Sequence, residues 1–490
     1  MAISDLEYTA WLSSSSAYRC VLAEVAVNVG GVETTRYLSN TGYVTGGGDT
    51  PSNTSYRALI VGGIKLSESL SLESNPTLSY GEVELDNKDG KLDGWINDVW
   101  DNRVISVFYG DSRWAREDFR LIFKGVISGA SSKRRNTINL MIKDSMQRLN
   151  TPMTDIKLGG STNNKDKLLP LTFGECHNVS PLLTDAATHE YQVHNGAIED
   201  IIEVRDNGAP VTVTKVLATG KFTLTSSPAG TITASVQGAK PTTYSNQTPE
   251  LIKQIVTTYG TTDKLLTSDI DLTNFSDFAA SNTSPVGVYL PDRTNVITAC
   301  QQLAGSVGAQ ITMSREGELQ LKRIDFPPSG TPTPITRSDI IEHQLDIDSV
   351  IEVSPAIKIG YCKNFTVQNN LQTVIPEEHK SLYEEEWLTT TAADNTVATK
   401  YKMLVDPVQK DTMLLTEANA ITEANRRLGI VKQQRIVYKM TCISSMFPLQ
   451  LGQAVTLTYP RFGLDSGVLG VVVGLEPDWL TARIVVKVMV

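Results

Sequence analysis

The chain is built from short strand-like runs separated by turn residues, and this pattern extends over most of its 490 residues. Residues 20–29, CVLAEVAVNV, alternate apolar and polar side chains, which is typical of a strand with one buried face. Comparable runs occupy 103–109 and 119–127 near one end, and 435–443 and 468–473 near the other. Because a strand must bury its apolar face against another layer, the pattern predicts a mainly β protein.

The length predicts more than one domain, since a single domain typically has about 150 residues. Residues 160–245 carry short strand-like runs at roughly 10-residue spacing, which favours a small β-barrel or sandwich. Four domains are predicted. Residues 1–158, 159–245 and 335–490 are predicted to be β domains, and residues 246–334 are predicted to be an α+β domain that contains helices.

Helices are predicted mainly in the second half of the chain. One begins at Thr248-Pro249 and ends before Gly260, and another covers 294–306. A third is capped by Thr416 and ends at Gly429. A short helix is also expected at 144–149. Arg315-Glu316-Gly317 predicts a hairpin turn, and the prolines between 327 and 334 mark a linker or a domain edge.

Composition excludes several classes of protein. The net charge is −10, which argues against a dedicated nucleic-acid binder but suits a surface along which DNA slides without adhering. The five cysteines are scattered, so no disulfide framework is expected. The first 16 residues lack the features of a signal peptide, and no apolar stretch approaches the roughly 18 residues of a membrane span.

The one cluster of possible metal ligands contains Cys176, His177, His189 and His194. Its spacing matches no standard zinc site, and adjacent Cys-His ligands are sterically awkward. His189-Glu190 with His194 also misses the metalloprotease motif, because the two histidines are five residues apart in a strand-like run. We therefore predict structural roles for these residues.

Other motifs also have ordinary explanations. Residues 86–93, DNKDGKLD, do not align with a calcium loop and predict a turn. Lys133-Arg134-Arg135 lies between two strands, as a hairpin tip would. Glu384-Glu385-Glu386 is expected to be a solvated acidic loop, and Gly46-Gly47-Gly48 a loop tip. No nucleophile elbow, phosphate-binding loop or dinucleotide fingerprint is present in the sequence.

The sequence thus predicts no catalytic, cofactor-binding or metal-binding residue. A large chain of β domains without a catalytic constellation fits a structural or assembly protein better than an enzyme.

Three groups of short sequence motifs, taken in their order along the chain, resemble motifs of bacteriophage tail hub proteins. These proteins are also called baseplate hub or tail-tip proteins. The first group resembles the N-terminal domain of these hubs and consists of Gly81-Glu82-Val83-Glu84-Leu85, Asp86-Asn87, Asp89-Gly90, Leu92-Asp93, Tyr109-Gly110-Asp111, Trp114, Ile122-Phe123, Gly125-Val126, Lys143-Asp144 and Leu149. The second resembles their inserted β domain and consists of Pro170-Leu171, Phe173-Gly174, Asn178-Val179, Pro181, Tyr191, Val193-His194, Asp206-Asn207-Gly208 and Pro210-Val211. The third is similar to a hub's second tube-like domain and consists of Arg426-Arg427-Leu428, Leu451-Gly452-Gln453-Ala454-Val455, Gly467 and Gly470-Val471-Val472.

The resemblance implies a specific architecture: mainly β with α+β parts, with two tube-like β domains, an inserted small β domain and a helical and hairpin segment. It implies a homotrimeric virion protein at the tail tip or baseplate, assembled in the host cytoplasm. Such a ring joins the hexameric tail tube or a distal tail protein to a central spike or fibre. DNA would pass through its lumen during genome ejection without specific binding.

Two alternatives remain open at this stage. A tail-associated cell-wall hydrolase would use the histidines with Cys176, or an acidic pair in the fourth segment. A receptor-binding or carbohydrate-binding adhesin would use residues 160–245 as its binding module. Trp95, Trp100 and Trp114 could in principle stack on sugars, although tryptophans clustered among strands more often belong to a core.

Overall fold

A computed structural model describes residues 3–72, 80–260 and 264–490. The protein is mainly β, with 41% of its residues in strands and 20% in helices, and it has several sheets and more than one domain. The predicted fold class is therefore confirmed.

The chain forms two compact units, each assembled from separate stretches. Unit 1 contains Met1–Gln147, Thr312–Ile351 and Gln434–Val490, whereas unit 2 contains Arg148–Ile311 and Glu352–Gln433. The division into four domains stays a prediction, because smaller domains can lie within a compact unit.

Residues 3–147 begin with helix α1 (Asp5–Leu12) and continue as strands. Ser4 caps this helix: its hydroxyl accepts a hydrogen bond from the Glu7 N–H, and the Glu7 carboxylate accepts one from the Ser4 N–H. The strands are β1 (Arg19–Val29), β2 (Val32–Ser39), β3 (Tyr43–Val44), β4 (Ser55–Ala58), β5 (Ile60–Ser69), β6 (Tyr80–Asp86), β7 (Val104–Asp111), β8 (Arg120–Ser131) and β9 (Thr137–Asp144). The short helix expected at 144–149 is a 3-10 turn, Ser145–Leu149.

The next stretch contains the small β domain and a group of helices. Its elements are β10 (Leu171–Val179), β11 (Leu182–Asp185), β12 (Glu190–Gln192), β13 (Ile198–Asp206), β14 (Ala209–Pro210), β15 (Val213–Val216), β16 (Lys221–Leu224), β17 (Ile232–Ala239), α2 (Thr248–Thr258), α3 (Leu272–Ser281), β18 (Gly287–Leu290) and α4 (Val296–Ser306). The helix predicted from Thr248 is capped one residue earlier, at Gln247.

The remaining elements follow in chain order. They are β19 (Ala309–Met313), β20 (Leu319–Arg323), β21 (Thr333–Ile335), β22 (Ile340–Ile351), β23 (Ala356–Tyr361), α5 (Ser381–Glu384), β24 (Leu388–Ala393), α6 (Asn395–Tyr401), β25 (Gln409–Asp411), α7 (Glu417–Val431), β26 (Arg435–Ile443), β27 (Ala454–Leu457), β28 (Val468–Asp478) and β29 (Arg483–Met489). Helix α7 is capped by Thr416 as predicted, but it continues through Gly429, which was expected to end it.

Unit 1 is organised around one large sheet. Among the described residues, fifteen strands form it, in the order β22-β26-β29-β28-β5-β6-β9-β8-β7-β1-β2-β4-β3, with β27 paired to β28 and β21 to β27. Strands β1–β9 with α1 form what we call the N lobe, and β21, β22 and β26–β29 form the C lobe. A single apolar core takes residues from both lobes, including Val21 and Trp100 from one and Val472 and Trp479 from the other.

Unit 2 contains the small β domain, which is built from two sheets. One has the order β14-β13-β17-β10-β18 and the other β11-β12-β16-β15. Buried residues of both sheets, such as Val236 and Phe222, belong to one apolar core, as in a sandwich. Elsewhere in unit 2, α7 packs on β23 and β24 of the sheet β24-β23-β25.

Candidate assembly surfaces

The possible metal ligands of the small β domain are separated by their environments. Cys176 is buried, and His189 is partly exposed with its ring near the Ser227 hydroxyl. The ring of His177 lies 3.3 Å from Glu175. His194 is buried, and its Nδ1 accepts a hydrogen bond of 3.0 Å from the Thr172 N–H. In the part of the chain that the structure describes, no group of three or more His, Cys, Asp or Glu side chains is placed to hold a metal ion.

The charged motifs lie where turns and loops were predicted. Lys133-Arg134-Arg135 joins β8 to β9, and Lys133 pairs with Glu82 of the neighbouring strand β6. The triplet Glu384-Glu385-Glu386 is exposed, and Glu386 lies 3.8 Å from Lys363. Each of these carboxylates therefore faces solvent or a lysine.

Residues 86–93 form the predicted turn. The Asn87 side chain donates to Asp93 at 2.7 Å and accepts from the Leu92 N–H at 2.9 Å. Asp86 and Asp89 pair with Lys88 and Lys91, so their carboxylates face lysines.

Of the three tryptophans considered as sugar platforms, Trp95 and Trp100 belong to the core of unit 1, and Trp114 is partly buried and packs against that core. Trp95 and Trp100 are buried with ring centroids 5.7 Å apart, and Trp114 packs 4.8 Å from Trp11. The core interpretation is confirmed for Trp95 and Trp100. Their aromatic faces are used in packing the N lobe.

The two lobes of unit 1 are joined edge to edge. Strand β28 of the C lobe pairs antiparallel with β5 of the N lobe, with Gly474 opposite Ser69 and Leu475 opposite Glu68. The Leu70 N–H also donates to the Val473 carbonyl at 2.9 Å. Tyr109 of the N lobe contacts Trp479 of the C lobe, with ring centroids 5.2 Å apart. One chain therefore presents two β lobes as one continuous sheet.

Strand β22 ends this sheet and is a long edge strand. It pairs with β26, and two register shifts interrupt the pairing. Glu342 and His343, near the first shift, have left-handed backbone conformations, which is typical of a bulge. Ile347 and Val350 are 47% and 51% exposed. A long edge strand with exposed apolar residues is a surface on which another strand can pair.

A cavity of about 510 Å³ lies within unit 1, between α1, β8, the β19–β20 hairpin and the loop 447–451. Its apolar lining residues are Leu12, Leu121, Ile122, Phe447, Leu449, Leu451 and Trp479. Its polar lining residues on the hairpin are Thr312, Ser314, Gln320 and Lys322, and charged residues around it include Asp5, Arg120 and Glu316. The cavity therefore suits an occupant that has both apolar and charged groups.

Arg315 holds the hairpin that forms one side of this cavity. Its Nε donates to Glu68 at 2.9 Å, and its Nη1 donates to the Phe447 carbonyl at 2.7 Å. The Arg315 carbonyl accepts a hydrogen bond from the Lys124 N–H at 2.8 Å. These contacts join the hairpin to β5, β8 and the loop 447–451, so the cavity is a built feature of unit 1.

Unit 2 exposes a short apolar loop at residues 402–408, between α6 and β25. Leu404 and Val408 are 89% and 86% exposed, and Val405 is exposed too. Lys402 and Lys410 lie on either side of these residues. An apolar segment that is exposed to this extent often marks an interaction site. No periodic pattern in the sequence distinguishes it, because loop exposure depends on the elements that surround it.

The chain is similar in structure to several solved tail proteins. The 43 kDa tail protein of prophage MuSo2 from Shewanella oneidensis aligns over 96% of this chain and 98% of its own, with 11% identity and a TM-score of 0.43. A tail protein from Neisseria meningitidis MC58 aligns over 96% of both chains, with 10% identity and a TM-score of 0.38. The prophage tail protein gp18 from Listeria monocytogenes EGD-e aligns over 90% of this chain and 92% of its own, with 10% identity and a TM-score of 0.39.

No protein-family model and no curated relative matches the sequence. Each of these TM-scores is below 0.5.

Proposed function

We propose that this chain is a structural virion protein, a trimeric hub at the distal end of a phage tail. In this proposal it connects the hexameric tail tube to a central spike or fibre and forms part of the DNA channel. The observation that carries the proposal is the pairing of β28 with β5, which places two β lobes side by side in one sheet. The three groups of short sequence motifs that resemble those of tail hub proteins support the same assignment.

The two lobes supply a reason for three copies. Three chains with two lobes each present six lobes, which is the number that a hexameric tube requires on its partner. A closed ring is formed when each copy meets the next through two different surfaces. The exposed edge strand β22 supports this arrangement, because a ring gives an edge strand a neighbour.

The charge of the chain supports a passage for DNA. A net charge of −10 repels phosphates, so DNA passing through a ring of such chains would not adhere to it. The proposal therefore includes a lumen that binds no DNA sequence, and a location at the tail tip after assembly in the host cytoplasm.

The proposed role is not enzymatic and needs no cofactor. The histidines and Cys176 lie in separate environments, and the acidic triplet at 384–386 faces solvent or Lys363. The tryptophans that an adhesin could use are packed in the N lobe. These placements favour an assembly protein over the hydrolase and adhesin alternatives.

The first experiment is the mass of the purified protein by light scattering after gel filtration. The proposal expects a species of about three times the 53.5 kDa chain mass. The sample is then mixed separately with candidate tail-tube proteins and candidate spike or fibre proteins. A chain that stays monomeric at every concentration and binds neither partner would contradict the hub proposal.

A further inference from the structure

We propose that neighbouring copies join through strand β8 of one copy and strand β22 of the next. This inference rests on the proposed ring, because it names the two strands through which the copies meet. The pattern for the contact is the pairing of β28 with β5, which joins the two lobes within one chain and which we call the intrachain seam. The contact between copies repeats this seam, because the four strands occupy equivalent places in the two lobes.

Each lobe contains the same arrangement of five strands. In chain order, β5, β6, β7, β8 and β9 of the N lobe correspond to β22, β26, β27, β28 and β29 of the C lobe. In space, each set begins with its first strand, followed by the second, fifth, fourth and third, and every pairing within a set is antiparallel. Strand β22 is therefore equivalent to β5, and β8 is equivalent to β28.

The equivalence of β8 and β28 extends to single residues. Residues 125–129 of β8, GVISG, match residues 470–474 of β28, GVVVG. Each strand has a register shift against the fifth strand just before the second glycine, which is Gly129 in β8 and Gly474 in β28. The middle residue of each range also exchanges two backbone hydrogen bonds of 2.8–3.0 Å with the turn that precedes the third strand. The two strands therefore have matching backbone paths and matching edges.

The lobes differ in what occupies these matching edges. In the C lobe, β28 continues past the end of β27, and residues 474–478 pair with β5. In the N lobe, β8 continues past β7, whose pairing ends at Val126, and in the described part of the chain no strand pairs with residues 128–131 on that side. Strand β22 has a free edge too, and it carries the exposed Ile347 and Val350. Each chain thus has both halves of a second seam, which two copies can complete head to tail as ring closure requires.

The intrachain seam also predicts the register between copies. It places Glu476 of β28 opposite Ser67 of β5. The counterpart of Glu476 in β8 is Ser131, and the counterpart of Ser67 in β22 is Ser349, as the pairings within each lobe show. Ser131 of one copy is therefore expected opposite Ser349 of the next, with both side chains on one face of the joined sheet.

Unlike charges lie at one end of the predicted contact. Arg134 and Arg135 follow β8 and are exposed, and neither makes an ion pair within the described ranges. Asp346 of β22 is exposed and equally unpaired there. Because the strands run antiparallel, the arginines of one copy meet the part of β22 that contains Asp346 of the next. The intrachain seam has unlike charges at the same place with the signs reversed, since Asp478 lies opposite Lys65.

A crosslinking experiment tests the predicted register. Ser131→Cys and Ser349→Cys are combined in one full-length chain, and Cys362→Ser is included in every variant because the other four native cysteines are buried. Oxidation with diamide is expected to form one disulfide per contact and to give a ladder that ends at a covalent trimer, which reductant dissociates. A disulfide that closes within one chain, or a ladder that continues past the trimer, would overturn the inference.

A neighbouring serine supplies the matched control. Ser132 is exposed and directly follows Ser131, so its side chain points to the opposite face of the sheet. Ser132→Cys combined with Ser349→Cys is expected to give at least tenfold less crosslink than the first pair. Equal crosslinking by the two pairs would show random collision of exposed thiols and would overturn the predicted register.

Light scattering of the same samples separates this inference from the proposed function. A parent chain that is trimeric, but whose Ser131→Cys and Ser349→Cys variant forms no crosslink, would reject the contact and leave the hub proposal standing. A parent chain that is monomeric and joins no tail partner would reject both. If the parent chain assembles only with a tail partner, the oxidation is performed in that complex, where a covalent trimer supports the contact and its absence rejects it.

Discussion

At the scale of single residues, Asp111 is a buried carboxylate that joins the N-terminal helix to the sheet. It is fully buried at the end of β7 and accepts hydrogen bonds from the Trp11 indole N–H and the Tyr18 N–H, each at 2.9 Å. It also pairs with Arg113 at 2.7 Å. Burial alone would raise the pKa of Asp111, but the hydrogen bonds from Arg113 and Trp11 outweigh it and hold the pKa well below its usual range.

Asp111→Asn is expected to destabilise unit 1 by about 2–3 kcal/mol, because charge-assisted hydrogen bonds are lost and an amide N–H₂ meets other donors. Urea unfolding followed by tryptophan fluorescence at pH 7 measures this loss. Asp5→Asn is the matched control, since Asp5 pairs with Arg120 in solvent and should change stability by less than about 0.5 kcal/mol. Equal effects of the two variants would show that Asp111 does not hold the helix.

His194 makes the small β domain sensitive to acid. Burial lowers the pKa of His194 from 6.5 to about 4, so the folded chain keeps the ring neutral where the unfolded chain protonates it. Stability is therefore complete above about pH 6.5 and falls as the pH decreases toward about 4. The loss is about 3 kcal/mol for this pKa difference.

His194→Asn retains an oxygen that can accept from the Thr172 N–H but removes the titrating ring. Unfolding free energies measured between pH 7 and pH 4 are expected to depend less on pH in this variant than in the parent. His189→Asn is the matched substitution at a partly exposed histidine, whose left-handed backbone asparagine tolerates. An unchanged slope in His194→Asn would mean that another group controls the acid response.

At the scale of elements, strands with a regular alternation could be predicted and edge elements could not. The run at 20–29 became β1 almost residue for residue, because one face is buried and the other is partly exposed. Strand β22 was missed because it is exposed on both faces over much of its length, which removes the alternation. Helix α1 was missed although Ser4 and Glu7 have the spacing of a capping box, a signal that was present in the sequence.

Gly429 and Gly287 are predicted to respond to alanine in opposite directions. Gly429 lies inside α7 with open space around it, so Gly429→Ala should stabilise unit 2 by about 0.5–1 kcal/mol through helix propensity. Gly287 lies in β18, where a Cβ would be 1.8 Å from the Glu175 carbonyl oxygen of β10, so Gly287→Ala should separate the strands and destabilise the domain. Urea midpoints of the two variants compare them directly. A stable Gly287→Ala would contradict the close approach of β10 and β18.

At the scale of the whole molecule, the exposed edge strand β22 of the unit 1 sheet is a surface on which a strand of another copy can pair. Ile347→Lys with Val350→Lys places two charges on the edge strand β22, and charged edges disfavour strand pairing. If neighbouring copies pair through β22, this double variant should shift light-scattering mass from trimer toward monomer while circular dichroism stays unchanged. Val104→Lys is the control, because Val104 is similarly exposed but lies on β7, which already has a neighbour on each side. A trimer in both variants would place the contact elsewhere.

By itself, the sequence determined the mainly β class, most strands with a buried face, the turns at 86–93 and 133–135, and the core role of Trp95 and Trp100. These features depend on local propensity and on alternation along a few residues, which a single chain displays directly. Only the tertiary structure decided that the N and C lobes share one sheet through β5 and β28, that Arg315 builds a cavity, and that Leu404 and Val408 are left exposed. Pairing between strands about 400 residues apart depends on how intervening segments pack. That packing therefore cannot be predicted from local sequence patterns.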